Sequence, residues 1–194
     1  MDFLSNQFIG NKASNGGAIS IMSEVNENNE SYINFENNIF LKNSANNFGG
    51  AIYSEYGKMN SIKSINNTIA NNTADIMGGG IFISTTNYKE LLDINDWSFS
   101  NNMGNSHDDN YFTKPVRIKL NTSINNNEAT LTTGEYLPLV FSMYDGYDQD
   151  ILDITKYYST LELKLSLKPI NINTEEEQKY ELTGNHVPCL NGIV

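Results

Sequence analysis

One phrase occurs four times in the first 112 residues of the chain. It consists of an apolar residue, an asparagine three positions later, a small residue two positions after that, and then glycines and an aliphatic residue. The copies start at Phe8, Phe40, Ile69 and Phe99 and carry Asn11, Asn43, Asn72 and Asn102. The fourth copy decays, since Asp108-Asp109-Asn110 replaces its glycines. A repeat of this kind is one unit that cannot bury its apolar face alone, so the phrase predicts a stack of repeats.

The spacing of the copies selects the kind of stack. The marked residues lie 32, 29 and 30 positions apart, and short alternating runs such as Ile33-Asn-Phe35 and Ile81-Phe-Ile83 lie between them. Asparagine, serine and glycine turns separate these runs. We therefore expect three short strands per repeat and, over residues 1–113, a right-handed parallel β-helix of about four coils. The variable segments 24–31, 55–61 and 85–90 should project from it as loops.

Equivalent residues of successive coils should form columns. We expect an internal apolar ladder of Phe8, Phe40, Ile69 and Phe99 and another of Ile19, Ile52 and Ile81. Asn11, Asn43, Asn72 and Asn102 should form a third ladder at a bend, because asparagine tolerates left-handed backbone and its amide can bond to the amide of the next coil. These columns have structural explanations and do not by themselves indicate a ligand.

Residues 116–194 have a different pattern. Longer alternating runs at 116–120, 137–144 and 160–167 predict half-buried antiparallel strands, with further strands near 129–131, 180–182 and 187–190. We expect an immunoglobulin-like β-sandwich. About 100 residues are usual for such a module, and the shorter length here suggests that the sandwich is incomplete.

Charge limits the partners of the chain. The net charge is -11 and the isoelectric point is near 4.5, which disfavours nucleic acid because phosphate binding requires clustered lysine and arginine. The sequence opens inside the first repeat and stops within a predicted strand pair. We therefore expect a fragment of a larger protein, whose first coil is covered by its missing parts or by other protein chains.

The sequence offers little catalytic chemistry. The acidic stretch Asp145–Asp153 could supply oxygen ligands to calcium, but a solvated turn is the favoured interpretation. His107 and His186 are far apart and lack a second ligand at metal spacing. Glu36, Glu55 and Asp75 fall at different repeat positions, so they should not converge as a glycosidase pair would. We expect no catalytic residues, cofactor or metal.

Four sequons and one thiol complete the candidate sites. Asn29, Asn66, Asn71 and Asn121 each begin an Asn-x-Ser/Thr sequence and would accept glycans in a secreted protein. Chance also produces such sequences in a chain with 31 asparagines. Cys189 has no intramolecular partner, and we expect either a buried free thiol or pairing outside the sequence.

The phrase Phe-x-x-Asn followed by Gly-Gly-Ala-Ile resembles the repeats of the polymorphic outer membrane protein family, β-helical surface proteins of bacteria with counterparts in large protist surface proteins. The stretch from Thr133 to Asp148 is similar to the opening strands of the immunoglobulin-like modules that accompany those helices. The resemblance implies an extracellular or cell-surface location and a non-catalytic structural, display or adhesion function, with glycans as further partners. The alternative is a carbohydrate-binding or polysaccharide-cleaving β-helix. Carboxylates gathered in one groove would favour that alternative.

Overall fold

A computed structural model describes residues 1–22, 33–55, 62–84, 92–105, 107–124, 128–167 and 182–193. The described residues form β-strands and no helix, which confirms the all-β prediction. The whole of loops 24–31 and 85–90 and all of loop 55–61 except Glu55 lie outside the described residues. The chain divides into two compact units, Met1–Arg117 with Tyr144–Gln149, and Ile118–Met143 with Asp150–Val194.

In the first unit, strands recur in the same order in each repeat. The first three repeats contain β1 (Asp2–Leu4), β2 (Gln7–Ile9), β3 (Lys12–Ala13), β4 (Ile19–Ile21), β5 (Ile33–Glu36), β6 (Ile39–Leu41), β7 (Ser44–Ala45), β8 (Ile52–Ser54), β9 (Ile62–Ile65), β10 (Asn67–Ala70), β11 (Thr73–Ala74) and β12 (Ile81–Ile83). The fourth contributes β13 (Trp97–Ser100), β14 (Met103–Gly104), β15 (His107–Asp108) and β16 (Tyr111–Thr113).

Each strand of a repeat pairs in parallel with its counterpart in the next repeat. The pairings give four sheets, ordered β1-β5-β9, β13-β10-β6-β2, β15-β14-β11-β7-β3 and β16-β12-β8-β4. Only β15 pairs in the antiparallel sense within these sheets, on β14. The register places Phe8 beside Phe40, Phe40 beside Ile69, and Ile69 beside Phe99. A second in-register column consists of Ile19, Ile52 and Ile81.

The expectation of three strands per repeat was wrong, because the first three repeats have four. The extra strand arises from a second bend five residues before the predicted one. A left-handed residue makes each bend, as at Asn66 and Asn71 in the third repeat, with φ of 51° and 55°. Left-handed backbone reverses the chain direction locally and is tolerated best by asparagine and glycine. The residue in this conformation therefore precedes the ladder asparagine and is not the ladder asparagine itself.

Aromatic rings occupy the interior at the repeat spacing. The rings of Phe8 and Phe40 stack with centroids 4.9 Å apart and planes within 6°, and those of Phe3 and Phe35 stack at the same distance. This distance matches the separation of neighbouring strands, about 4.8 Å. In-register parallel pairing thus places identical side chains at stacking distance. Phe35 and Phe40 are 1% and 0% exposed and belong to one core cluster with Ile52, Ile69 and Ile81.

Tandem glycines bring successive repeats close together after the third strand. Gly49 has a φ of 66°, and a Cβ atom there would collide with the carbonyl of Ile52. A Cβ atom at Gly50 would collide with the carbonyl of Gly79 in the next repeat. The first glycine is thus required by backbone conformation and the second by the close approach of two chains.

Among the described residues, the fourth repeat has no counterpart of β1, β5 and β9. The run Leu92-Asp-Ile94, which the sequence predicts as a strand, forms none, and the sheet of β1, β5 and β9 ends at β9. Trp97 is 6% exposed and aligns with Asn67. Its ring centroid lies 5.7 Å from that of Phe35. The indole thus packs against Phe35, whose register partner in the third repeat is Ser64 and not another aromatic residue.

The described part of the second unit has fewer strands than predicted for it. They are β17 (Arg117–Leu120), β18 (Phe141–Tyr144), β19 (Glu162–Lys164) and β20 (His186–Pro188), paired as β17-β18 and β19-β20. Residues 129–131 and Leu182 form no strand, while Tyr180 and Glu181 lie outside the described residues. The buried side chains are few and include Met143, Ile151 and Cys189. Alternation thus located the strand pairs but overstated strand length and number.

Replacing Phe40 by alanine should lower the free energy of unfolding by about 3 to 5 kcal/mol, because it removes a fully buried ring that stacks on Phe8. Ile39→Ala, on the same strand at a 38% exposed position, should cost less than about 1 kcal/mol. Urea unfolding followed by tryptophan fluorescence measures both. Equal losses in the two variants would contradict the assigned strand faces.

Candidate functional site: two asparagine ladders

The predicted asparagine column forms a continuous chain of hydrogen bonds. The backbone N–H and side-chain Nδ2 of Asn11 donate to Oδ1 of Asn43, at 3.0 and 2.9 Å. The same pair of bonds links Asn43 to Asn72, at 2.8 and 2.9 Å, and Asn72 to Asn102, at 3.0 and 2.9 Å. Asn43, Asn72 and Asn102 are at most 1% exposed. The ladder therefore crosses the repeats inside the protein.

The side-chain amide also bonds backwards along the stack. Nδ2 of Asn43 donates to the carbonyl of Phe8, and Nδ2 of Asn72 donates to the carbonyl of Phe40. Each inner asparagine amide thus donates both Nδ2 hydrogens and accepts two bonds at Oδ1. This is the full hydrogen-bonding capacity of a carboxamide. No other uncharged side chain of this size offers the same combination.

A second ladder, which the sequence reasoning missed, runs parallel to the first. Asn6 donates its backbone N–H and Nδ2 to Oδ1 of Asn38, and Asn38 donates the same two groups to Oδ1 of Asn67. Nδ2 of Asn67 donates to the carbonyl of Phe35. A signal was available in the sequence, because Phe3-x-x-Asn6 and Phe35-x-x-Asn38 repeat the phrase five residues before the first two predicted copies.

Side chains of the fourth repeat itself supply the hydrogen bonds that end the first ladder. Nδ2 of Asn102 donates to Oδ1 of Asn110 at 3.0 Å, where a further repeat would offer a ladder asparagine. Oδ2 of Asp109 accepts the backbone N–H of Gly78 at 2.7 Å. In the earlier repeats, the equivalent N–H groups of Gly16 and Gly49 donate to backbone carbonyls of the next repeat. A Cβ atom at Gly104 would collide with this carboxylate, which explains glycine where earlier repeats have alanine. The decayed phrase is therefore a cap.

The segment Tyr144–Gln149 belongs to the first unit, although its sequence suggested a solvated turn in the second module. Asp145 is fully buried, so that interpretation was wrong for this residue. Its carboxylate accepts backbone N–H groups of Thr113, Tyr147 and Gln149 at 2.8 to 3.1 Å. Burial raises the pKa of the Asp145 carboxyl group, and the donated bonds lower it by less. Burial also raises the pKa of Tyr147, whose hydroxyl donates to the carbonyl of Leu92.

Among the described residues, no three histidine, cysteine or acidic side chains lie together as metal ligands would. In the Asp145–Asp153 stretch, Asp153 accepts the backbone N–H groups of Tyr157 and Tyr158, and Asp148 forms an ion pair with Arg117. His186 contacts Glu162, with Nε2 and Oε2 2.6 Å apart. These carboxylates therefore already take part in intramolecular contacts.

Three acidic residues of the first three repeats lie on or next to strands of different sheets, and of these Asp75 is exposed while Glu36 and Glu55 are half-buried. Glu36 ends β5, Glu55 follows β8, and Asp75 follows β11. Glu55 accepts a hydrogen bond from the hydroxyl of Tyr53. A glycosidase pair requires two carboxylates on the same groove, and these residues do not share a strand position from which they could form one.

Three of the four sequons fall on described residues. Asn66, Asn71 and Asn121 are exposed, and the first two occupy the left-handed bends next to buried ladder asparagines. Asn29 lies outside the described residues. Cys189 is a buried free thiol, and burial raises its pKa. A raised pKa reduces the thiolate fraction and hence the reactivity of the sulfur.

No protein-family model, curated protein or solved structure matches this chain. No helix in the described part of the chain is long and apolar enough to span a membrane.

Replacing Asn72 by aspartate tests the ladder with almost no change in shape. The introduced carboxylate would face the carbonyl of Phe40 and Oδ1 of Asn102, two acceptors that now receive N–H groups. The free energy of unfolding should fall by at least about 2 kcal/mol at neutral pH, because buried acceptors lose their donors and oppose a charge.

The same variant should show a defined pH dependence. Its new carboxyl group is favoured in the protonated form, so the loss should be smallest below the ordinary aspartate pKa of about 3.9 and should grow as pH rises through the higher folded-state value. Asn71→Asp, at the exposed neighbouring position, is the control. Urea unfolding of all three proteins from pH 4 to 8 measures the difference. A loss that is independent of pH, or equal in both variants, would refute the ladder's role.

Proposed function

We propose that this protein is a non-catalytic structural module of an extracellular or cell-surface protein, with its first unit a right-handed parallel β-helix. The second unit would be part of an immunoglobulin-like β-sandwich. The recurrence of four strands in constant order, each paired in parallel with its counterpart about 30 residues later, supports the helix. The separate strand pairs β17-β18 and β19-β20 support the sandwich.

One observation carries the proposed function: the amides of the ladder asparagines inside the stack are used to hold repeats together. The amides of Asn38, Asn43, Asn72 and Asn102 have their full set of bonds, and buried Asp145 accepts several backbone N–H groups. Catalysis or ligand binding requires polar groups that can bond to something else. Saturated groups instead favour a rigid spacer that presents loops and edges to its surroundings.

The surface location is supported by the acceptor positions for glycans. The Asn66 and Asn71 side chains are exposed, one at each bend of the third repeat. The neighbouring Asn67 and Asn72 side chains are buried. Glycans at the two exposed positions would extend outward without disturbing either ladder. The acidic composition is compatible with a solvated outer surface and offers little attraction to nucleic acid.

The test is immunolabelling of the native protein on intact and on permeabilised cells of its source. Equal labelling of both preparations is expected for a surface protein, whereas labelling only after permeabilisation would overturn the proposed location. Thr68→Ala and Thr73→Ala remove the sequons of Asn66 and Asn71 without altering the bend residues. Each should abolish one N-glycan detected by mass spectrometry, and Thr86→Ala, outside any sequon, should abolish none.

A second arm tests the non-catalytic part of the proposal. The full chain is incubated with a panel of acidic and neutral polysaccharides, and new reducing ends and unsaturated products are measured. No release above a heat-denatured sample is expected. Reproducible cleavage would overturn the structural interpretation in favour of a polysaccharide-cleaving protein.

A further inference from the structure

Three dipeptides of the chain place glycine directly after asparagine or aspartate: Asn15-Gly16, Asp145-Gly146 and Asn191-Gly192. In such a dipeptide the glycine nitrogen can attack the side-chain carbonyl carbon before it, because glycine has no Cβ atom to hinder the approach. The attack requires a nitrogen that is free of other bonds and a side chain that can turn toward it. The hydrogen bonds of the folded protein therefore determine which of the three sites can react.

The first site is held by the second repeat. The N–H of Gly16 donates to the carbonyl of Phe48 at 3.0 Å. Oδ1 of Asn15 accepts the N–H of the same Phe48 at 3.3 Å, so the side chain is fixed as well. The glycine nitrogen can reach the asparagine side chain only when this contact between the two repeats opens.

The second site is held at the end of the stack. The N–H of Gly146 donates to Oγ1 of Thr113 at 2.7 Å. The carboxylate of Asp145 is fully buried and accepts backbone N–H groups, including that of Thr113 at 3.1 Å. This site is therefore protected in the same way as the first.

The third site is a two-residue turn in the second unit. Asn191 and Gly192 have φ of 55° and 84° and join Leu190 to Ile193, whose backbones form hydrogen bonds of 2.8 and 3.0 Å with each other. The Asn191 side chain is exposed. Within the described part of the chain, neither this side chain nor the N–H of Gly192 has a hydrogen-bond partner. Both groups that the reaction joins are therefore available.

We propose that Asn191 is a site of spontaneous deamidation. The nitrogen of Gly192 loses its proton and forms a bond to Cγ of Asn191, the bond from Cγ to Nδ2 breaks, and ammonia leaves. Water then opens the resulting succinimide ring at one of its two carbonyls. One product is aspartate, and the other is isoaspartate, in which the main chain runs through Cγ. The net reaction consumes water and releases ammonia, so it needs no other reactant.

The two products should differ in their effect on the turn. The carbonyl of Gly192 accepts the N–H of Met143 at 2.9 Å, and a Cβ atom on this glycine would collide with the carbonyl of Ile151. Isoaspartate adds a carbon atom to the main chain of a turn whose pairing register depends on its length. It should therefore release the N–H of Met143, whereas aspartate leaves the backbone unchanged.

Peptide mapping by mass spectrometry tests the site on the full 194-residue chain. The protein is incubated in native buffer and in guanidinium chloride, and deamidation of Asn191 and Asn15 is followed over time. In native buffer Asn191 should react at least about tenfold faster than Asn15, because Asn15 reacts only in molecules whose contact with the second repeat has opened locally. In guanidinium chloride the two sites should react at similar rates, since no folded structure then holds either nitrogen.

Two variants serve as controls. Asn191→Gln should stay unmodified over the same period, because attack on its longer side chain must close a larger ring. Asn191→Asp carries the acidic side chain on an unchanged backbone. Hydrogen exchange at the Met143 amide should therefore be faster in aged protein that contains isoaspartate than in this variant.

Three results would overturn the site. They are absence of deamidation at Asn191, equal rates at Asn15 and Asn191 in native buffer, and the same ratio of the two rates in native buffer and in guanidinium chloride. Equal exchange at Met143 in aged protein and in Asn191→Asp would contradict the effect on the turn. The site does not rest on the proposed function, and none of these results bears on cell-surface labelling.

Discussion

The carboxamide of the ladder asparagines is the interaction on which the first unit depends. At each inner rung, Oδ1 accepts two bonds from the preceding repeat, while Nδ2 donates once backward to a carbonyl and once forward to the next asparagine. A buried polar group without partners is costly, and a fully bonded one fixes its surroundings. The ladder asparagines next to the bends can therefore be buried with their hydrogen bonds satisfied. In-register parallel pairing follows because any shift would break every rung at once.

The same register determines the packing of the interior. Once Asn43 is bonded to Asn72, the residue three positions earlier is placed beside its own counterpart, so Phe40 meets Phe8 on one side and Ile69 on the other. The stacked rings and the asparagine ladder thus favour the same register between repeats. Tandem glycines such as Gly49-Gly50 then allow the backbones of adjacent repeats to approach closely after the third strand. The asparagine columns and the apolar columns therefore both follow from the in-register alignment of successive repeats.

Much of this could be predicted from sequence because it repeats. The positions of Asn11, Asn43, Asn72 and Asn102 at one bend follow from identical spacing within each copy. The second ladder was missed because its last copy is degenerate: Ser64 replaces phenylalanine before Asn67, and Trp97 replaces the fourth asparagine. The capping roles of Asp109 and Asp145 were harder to predict from sequence. Their carboxylates accept the backbone N–H groups of Gly78 and Thr113, and only the folded stack brings these groups together. Alternation in the second unit located the strand pairs but overstated the number and length of strands, because pairing partners, and not local pattern, decide where a strand forms and ends.

The most direct measurement of the central claim is hydrogen exchange of the asparagine side-chain amides by NMR spectroscopy. If the ladders hold the repeats together, the Nδ2 protons of Asn38, Asn43, Asn72 and Asn102 should exchange only when the stack opens. They should therefore be slower by orders of magnitude than those of exposed Asn66 and Asn71. Nδ2 protons that exchange at the same rate at all six positions would contradict the account.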